Sequence, residues 1–347
     1  MKKLTSVALI LACLSVFAVG ATVESQNVVG FFKVDVASND YSLVSVPMQK
    51  LAVYTGQASG SSSNTITISG SDWTAGEFSN MVDSAVAGGI YTESGLSTYY
   101  VEIAGDTNGA YYGRHYFIAD NTANTLTTTG GDFGFGDLTG VTFKIVPAQR
   151  IRDVFGEPGS PVLAQGSSPD QSGGADGVLL WNGGWNTYYH HIALGYWTST
   201  LNFPNDRSND VIDRDEGFFV RRFSGATNLV ITGEVTDNSR EIVISGSGTY
   251  DLVRIQSEAD VAIGNSQLAA SFAAGTSPDA AGGADGLLAW VNGGWVTVYR
   301  HSVLGYWTST AAFPTDISNT FILEAGKGYF VLRHTTATSV TSESPLQ

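Results

Sequence analysis

Cysteine is nearly absent: Cys13 is the only one in 347 residues. That excludes an internal disulfide framework and any cysteine-built zinc site. Basic residues are scarce as well, with 17 Lys and Arg against 32 Asp and Glu, for a formal charge of −15. The imbalance argues against nucleic acid as a partner, because phosphate binding needs a basic patch. It argues equally against docking on an anionic lipid surface. Charged residues of both signs amount to only 14%, while 43% are hydrophobic, the reverse of a disordered chain. Catalytic signatures are missing too: the chain has no G-x-S-x-G elbow, no H-E-x-x-H and no P-loop.

No apolar run reaches the roughly 20 residues of a membrane-spanning helix. The longest covers residues 7–19, after Lys2 and Lys3, with small residues following. This reads as a signal peptide, with Val19 and Ala21 at the −3 and −1 positions and cleavage after Ala21. A lipoprotein reading would put Ile10, Leu11 and Ala12 before a modified Cys13, where Leu11 fits poorly. Cleavage after Ala21 removes Lys2, Lys3 and Cys13, moving the charge from −15 to −17. The expected mature protein is exported, thiol-free and without a membrane span.

What the chain does have is internal repetition. Residues 166–177 read GSSPDQSGGADG and residues 275–286 read GTSPDAAGGADG, identical at nine of twelve positions. Trp181-Asn182-Gly183-Gly184-Trp185 answers Trp290-Val291-Asn292-Gly293-Gly294-Trp295. LGYWTST occurs at 194–200 and again at 304–310. Phe203-Pro204 answers Phe313-Pro314, and Gly217-Phe218-Phe219-Val220 answers Gly328-Tyr329-Phe330-Val331. Upstream, Tyr41-Ser42-Leu43-Val44-Ser45-Val46 resembles Tyr250-Asp251-Leu252-Val253-Arg254-Ile255 at an offset of 209, against 109 for the body. The first copy therefore holds about 100 additional residues, enough for a small domain.

Short β-branched and aromatic runs separated by Gly, Asn and Asp predict an all-β fold. Examples are Ile66-Thr67-Ile68, Tyr99-Tyr100-Val101-Glu102-Ile103, His115-Tyr116-Phe117-Ile118 and Phe143-Lys144-Ile145-Val146. The Asn-Gly pairs between tryptophans predict tight hairpins. Segments 149–155 and 265–274 are the helix candidates, and 56–64 (GQASGSSSN) reads as a polar loop. The expected architecture is two tandem copies of a small β-sandwich or barrel-like unit with a small β domain inserted in the first. The expected boundaries are 1–21 for the signal peptide, 22–52 plus 149–236 for the first unit, 53–148 for the insert and 237–347 for the second unit. After Arg333 the second copy shows no run matching Asn228-Leu229-Val230-Ile231, which predicts an unpaired sheet edge.

Val29-Gly30-Phe31 after Asn27-Val28, then Leu43-Val44-Ser45-Val46-Pro47, resembles the opening of an uncharacterised family of secreted proteins from Verrucomicrobia-type bacteria, whose members carry NVVGY and an LVSVP-like strand. The YYVEI run at 99–103, Asn121-Thr122-Ala123-Asn124-Thr125-Leu126, Asp153-Val154-Phe155-Gly156 and Glu216-Gly217-Phe218-Phe219-Val220 match the same pattern. The resemblance covers most of the mature chain and implies secretion. It carries over no catalytic residue.

Three constellations are candidates for chemistry. Six of the seven tryptophans lie in the repeat bodies. Trp185, Tyr189 and Trp197, with Trp295, Tyr299 and Trp307, offer rings that stack on sugars, or else fill the cores. Trp185 and Trp295, after Gly-Gly, are the ones expected at the surface. Asp170 and Asp176, with Asp279 and Asp285, supply oxygens for calcium, or else structure turns. No other cofactor is expected. Asp213, Asp215 and Glu216 form a carboxylate cluster of the kind glycosidases use. Aligned with Leu323 and Ala325, the two aspartates lack acidic counterparts in the second copy. The chain thus reads as an exported, non-enzymatic structural or adhesive protein of the envelope or extracellular space, located in the periplasm, at the cell surface or outside. The alternative is a carbohydrate-binding protein using the repeat aromatics. Expected partners are polysaccharide or other envelope proteins.

Overall fold

A computed structural model describes residues 29–79, 98–105, 111–129, 138–181, 184–223, 225–235, 239–255 and 259–342. The signal segment with Cys13 and the first hairpin's Asn182-Gly183 lie outside the described residues. The fold is nearly all antiparallel β, with short helices at Ile151–Phe155 and Leu268–Ser271 inside the two expected segments.

Two five-stranded sheets have one strand order. In the first, Tyr196–Ser199, Trp185–His191, Gly177–Trp181, Gly217–Arg221 and Tyr41–Ser45 lie side by side. In the second, the order is Trp307–Ser309, Gly294–Arg300, Gly286–Val291, Tyr329–Leu332 and Tyr250–Val253. The hairpin of the second sheet turns through Asn292 (φ 51°) and Gly293 (φ 78°), the paired positive angles that Asn-Gly accommodates. A two-stranded ribbon accompanies each sheet: Val29–Val36 with Thr227–Glu234, and Arg240–Ile244 with Thr338–Ser342. The second ribbon overturns the expected free edge after Arg333. Its closing strand, TSVTS, is too polar to resemble TNLVITGE, yet Val340 is buried opposite Ile242 just as Leu229 is opposite Val34.

Residues 54–147 supply a separate seven-stranded sheet, ordered Tyr54–Gln57, Thr142–Pro147, Tyr99–Gly105, His115–Asn121, Thr125–Thr128, Thr65–Thr67, Gly60–Ser62. Segment 56–64, expected as a loop, instead enters two of its strands. Ser and Gly have little intrinsic strand preference. Here Ser61 is paired with Ile66, whose side chain is fully buried, so the partner strand sets the conformation.

Each sheet has its own core. Val44, Val178, Trp197 and Phe218 belong to the first; Leu287, Val298, Trp307 and Val331 to the second; Ile66, Val101, Ile118 and Phe143 to the third. Strand alternation sends the next residues along to the opposite face. Phe218 enters the first core, while Phe219 points outward and meets the second sheet. The contact between the two five-stranded sheets is reciprocal. Phe219 lies edge-on to Trp290 and Trp295, at 5.6 and 5.9 Å, and Phe330 lies edge-on to Trp181 and Trp185, at 6.1 Å each. Such self-complementary exchange is the logic of a two-fold dimer interface, here within one chain.

Gly217 and Gly328 meet within this contact. A Cβ on Gly217 would lie 2.8 Å from the Gly328 Cα, and one on Gly328 would lie 2.9 Å from the Gly217 Cα. Gly217→Ala and Gly328→Ala should each therefore force the sheets apart, lowering stability by about 1–3 kcal/mol in urea denaturation. Gly159→Ala, where a Cβ meets nothing within 4 Å, should change it by less than about 0.5 kcal/mol. Equal effects at the three sites would show that the glycine contact is not limiting.

Candidate functional site

The sequence candidates divide by burial. Trp197 (0% exposed) and Trp307 (2%) are core residues, as are Tyr189 and Tyr299. The Trp197 indole N–H donates to the Gly156 carbonyl at 2.8 Å. None of these four rings offers a face to a sugar, which corrects the expectation for them. Alternation alone does not decide their burial, since the adjacent Tyr188 and Tyr189 are both buried. Trp185 (39% exposed) and Trp295 (42%) do reach the surface, as rims of the inter-sheet cluster 5.0 Å from Trp181 and Trp290.

The four aspartates proposed for calcium each accept hydrogen bonds from neighbouring loop groups. Asp170 accepts from the Ser172 hydroxyl (2.6 Å), the Gly173 N–H (2.7 Å) and the Ser168 hydroxyl (2.9 Å). These bonds, that from Ser172 foremost, hold its pKa down at about 2. Asp279 accepts likewise from Gly282 N–H and the Ser277 hydroxyl. Asp176 and Asp285 are fully buried. Asp176 accepts from the Ala164 and Phe223 N–H groups and lies 3.4 Å from Arg222. Asp285 repeats this with Ala273, His334 and Arg333. Through these bonds the four carboxylates clamp their own loops.

A cleft lies elsewhere, where segments of the three sheets converge. It is an open cleft of about 950 Å³. The seven-stranded sheet contributes Arg114 and His115, the first repeat Trp185, Asn186 and the turn 213–216, and the second repeat Glu241, Tyr250 and Asp251. The turn is closed by the Glu216 N–H donating to the Asp213 carbonyl (3.1 Å) and the Asp215 N–H donating to Asp213 Oδ1 (3.0 Å). It leaves Asp213 and Glu216 lining the cleft and directs Asp215 into a dense set of cations.

Asp215 pairs with Arg240, lies 3.4 Å from His115 Nδ1 and 3.8 Å from Arg214 Nε, and its carbonyl accepts from the Arg254 N–H at 2.7 Å. Arg214 continues to buried Glu102 of the seven-stranded sheet at 2.9 Å. Burial pushes the Asp215 carboxyl up, but Arg240, then His115, Arg214 and Arg254, outweigh it and hold the pKa below the usual range. Glu216 is shifted the other way. Burial and then the Asp213 charge push it up to about 8, only partly offset by backbone donors at Trp181 and Asp213.

His115, Asp213 and Asp215 have donor atoms within 4.8 Å of one another, and a metal would need them to converge. The carboxylates instead face opposite ring nitrogens, Asp213 at Nε2 and Asp215 at Nδ1, each 3.4 Å away. No single nitrogen faces both, and Asp215 is committed to Arg240. The set does not form a metal cage.

The strand register also corrects the alignment of this cluster. Val211 and Ile212 pair with Arg150 and Gln149 as Ile322 and Leu323 pair with Ala262 and Val261. Asp213 thus corresponds to Glu324, Asp215 to Gly326 and Glu216 to Lys327. The Arg254 N–H bond to Asp215 has its counterpart in Ser45 N–H to Gly326 O, at 2.8 Å. In the sequence Arg114 carries no signal, since it lies in the segment that has no repeat partner, and His115 reads there only as part of a strand. No family model, curated protein or solved structure matches this chain.

A carboxyl whose pKa rises from about 4.3 unfolded to about 8 folded binds more protons in the native state between those values. Its contribution must therefore fall as pH rises through that window. Glu216→Gln should flatten the decline in stability between pH 5 and 8, measured by urea denaturation. An unchanged slope would show that Glu216 titrates normally.

Proposed function

We propose that this chain is an exported, non-enzymatic β protein that binds carbohydrate in the cleft between its three sheets. The observation that carries the reading is the composition of that cleft. Trp185 and Tyr250, at 39% and 47% exposure, supply aromatic surface from the two repeats. Asn186, Asn202, Asp213 and Asp251 supply polar groups between them. A sugar needs this combination: ring faces for its C–H surface and fixed polar groups for its hydroxyls. Asp213 and Glu216 stand on one turn, with Cα atoms within about 7 Å. Sharing one turn, they do not come from opposite walls of the cleft, whereas glycosidic hydrolysis uses carboxyl groups that flank the scissile bond. That favours binding over cleavage.

The signal-like segment and the likeness to a secreted family support export. The repetition and acidic composition fit a structural or adhesive role in the envelope or outside the cell, with polysaccharide or envelope proteins as partners. The architectural reading is two copies of one β unit, with residues 53–148 inserted in the first.

Pull-down against a panel of insoluble polysaccharides, followed by calorimetry with soluble fragments, tests the reading. Trp185→Ala and Tyr250→Ala should each weaken binding at least about tenfold, or about 1.4 kcal/mol. Trp295 occupies the matching position in the second repeat but does not line the cleft. Trp295→Ala should disturb the inter-sheet cluster equally and leave binding intact. Equal losses from Trp185→Ala and Trp295→Ala would place the ligand elsewhere.

A further inference from the structure

The charged groups of the cleft divide into those that neutralise one another and those that do not. Arg114 is paired with Glu241 at 2.5 and 2.9 Å. Arg240 is paired with Asp215, Arg214 with Glu102, and Arg254 donates to the Val46 carbonyl. Asp251 is held by the Ser245 N–H (2.7 Å) and hydroxyl (2.9 Å). Asp213 and Glu216 remain. Among the described residues neither pairs with a Lys or Arg, and Asp213 faces only His115 and the Asp215 N–H. Both carboxyl groups line the cleft, one turn apart, close to the Trp185 rim.

We propose that the cleft takes a saccharide bearing free amino groups, with an ammonium group seated at the turn carrying Asp213 and Glu216. The inference rests on the carbohydrate reading above and names its substrate class. An ammonium has three donors and no acceptor, matching a pair of carboxyl groups that the protein's own cations leave unpaired. The faces of Trp185 and Tyr250 add cation–π attraction that a neutral sugar does not gain. An N-acetylated sugar brings no charge for Asp213, and a uronate brings one of the wrong sign.

Binding also has a proton signature. The negative charge of Asp213 helps to hold the proton on Glu216. An ammonium placed there cancels that charge and favours the ionised carboxylate, so Glu216 releases its proton to solvent. The other titratable and charged neighbours are His115, Arg114, Glu241 and the Asp215 cation cluster. They are common to the wild type and the Glu216→Gln variant, so the difference between the two isolates Glu216.

Isothermal titration calorimetry at pH 6, in two buffers of different ionisation enthalpy, tests this with four oligosaccharides of equal length. These are a β-1,4-glucosamine oligomer, its fully N-acetylated form, a cello-oligomer and an oligo-uronate. The amino oligomer should bind at least about tenfold more tightly than the other three, with net proton release that Glu216→Gln reduces. Asp213→Asn should bring its affinity down to that of the cello-oligomer. General attraction between a polycation and a −15 chain would survive that single-charge change, so retained preference in Asp213→Asn overturns the proposal. So does equal binding of the N-acetylated or neutral oligomer, or identical proton release in Glu216→Gln, and either result leaves carbohydrate binding standing. Absence of binding to all four, together with an empty polysaccharide panel, removes both readings.

Discussion

Everything in this molecule is arranged around the place where two five-stranded sheets touch at Gly217 and Gly328. Sheets normally pack about 10 Å apart, with side chains between. Here the two glycines place no side chain between the facing strands, and a Cβ on either would fall within 2.9 Å of the facing Cα. Beside them, Phe219 and Phe330 each insert between tryptophans of the other sheet. Aromatic pairs contribute about 0.5–1.5 kcal/mol each beyond their buried area, and several close this contact. The sheets are consequently buried on both faces, which is why Gly217–Arg221 carries Phe218 and Phe219 in succession rather than alternating with polar residues.

A near two-fold contact creates two equivalent junctions at its margins, and only one has become the cleft. The seven-stranded sheet lies beside the first junction, bringing Arg114, His115 and Glu102. At the second, Phe32 occupies the place that Arg240 takes at the first, as the ribbon registers Val34↔Leu229 and Ile242↔Val340 show. Gly326 occupies the place of Asp215, with the Phe32 ring so close that a Cβ would lie 2.7 Å from it. One margin is sealed by an apolar contact, the other held open by charge.

The sequence made the repeated elements legible, because duplication marks what one strand pattern alone leaves ambiguous. The Asn-Gly hairpin, the paired tryptophans and the segment without a repeat partner were all visible in it. The closing strand Thr338–Ser342 was not, because its identity lies in partner and register rather than composition. The same holds for Gly60–Ser62, a strand only by virtue of Ile66 beside it. At the site, Asp213, Asp215 and Glu216 were visible as a cluster, but a one-residue error in the alignment concealed Glu324 as the counterpart of Asp213. The exposure of Trp185 and Trp295 was readable from the Gly-Gly turn before each. The proximity of Trp185 to Arg114 and His115 was not, since no periodicity connects separate sheets.

The charged junction is a costly way to join sheets. Buried ion pairs seldom outperform well-packed apolar groups of similar volume, because desolvation offsets most of the attraction. This molecule contains its own comparison, since Phe32 against Gly326 solves the same packing problem without a charge. The Arg240, Asp215, Arg214 and Glu102 set therefore needs a reason beyond cohesion. It lies in what the set does to its neighbours. With Asp215 saturated by cations, Asp213 is left facing the cleft without a Lys or Arg partner among the described residues, and Glu216 is a carboxyl whose pKa is pushed up to about 8. An apolar seal would have given a firmer joint and a cleft with no polarity to its floor.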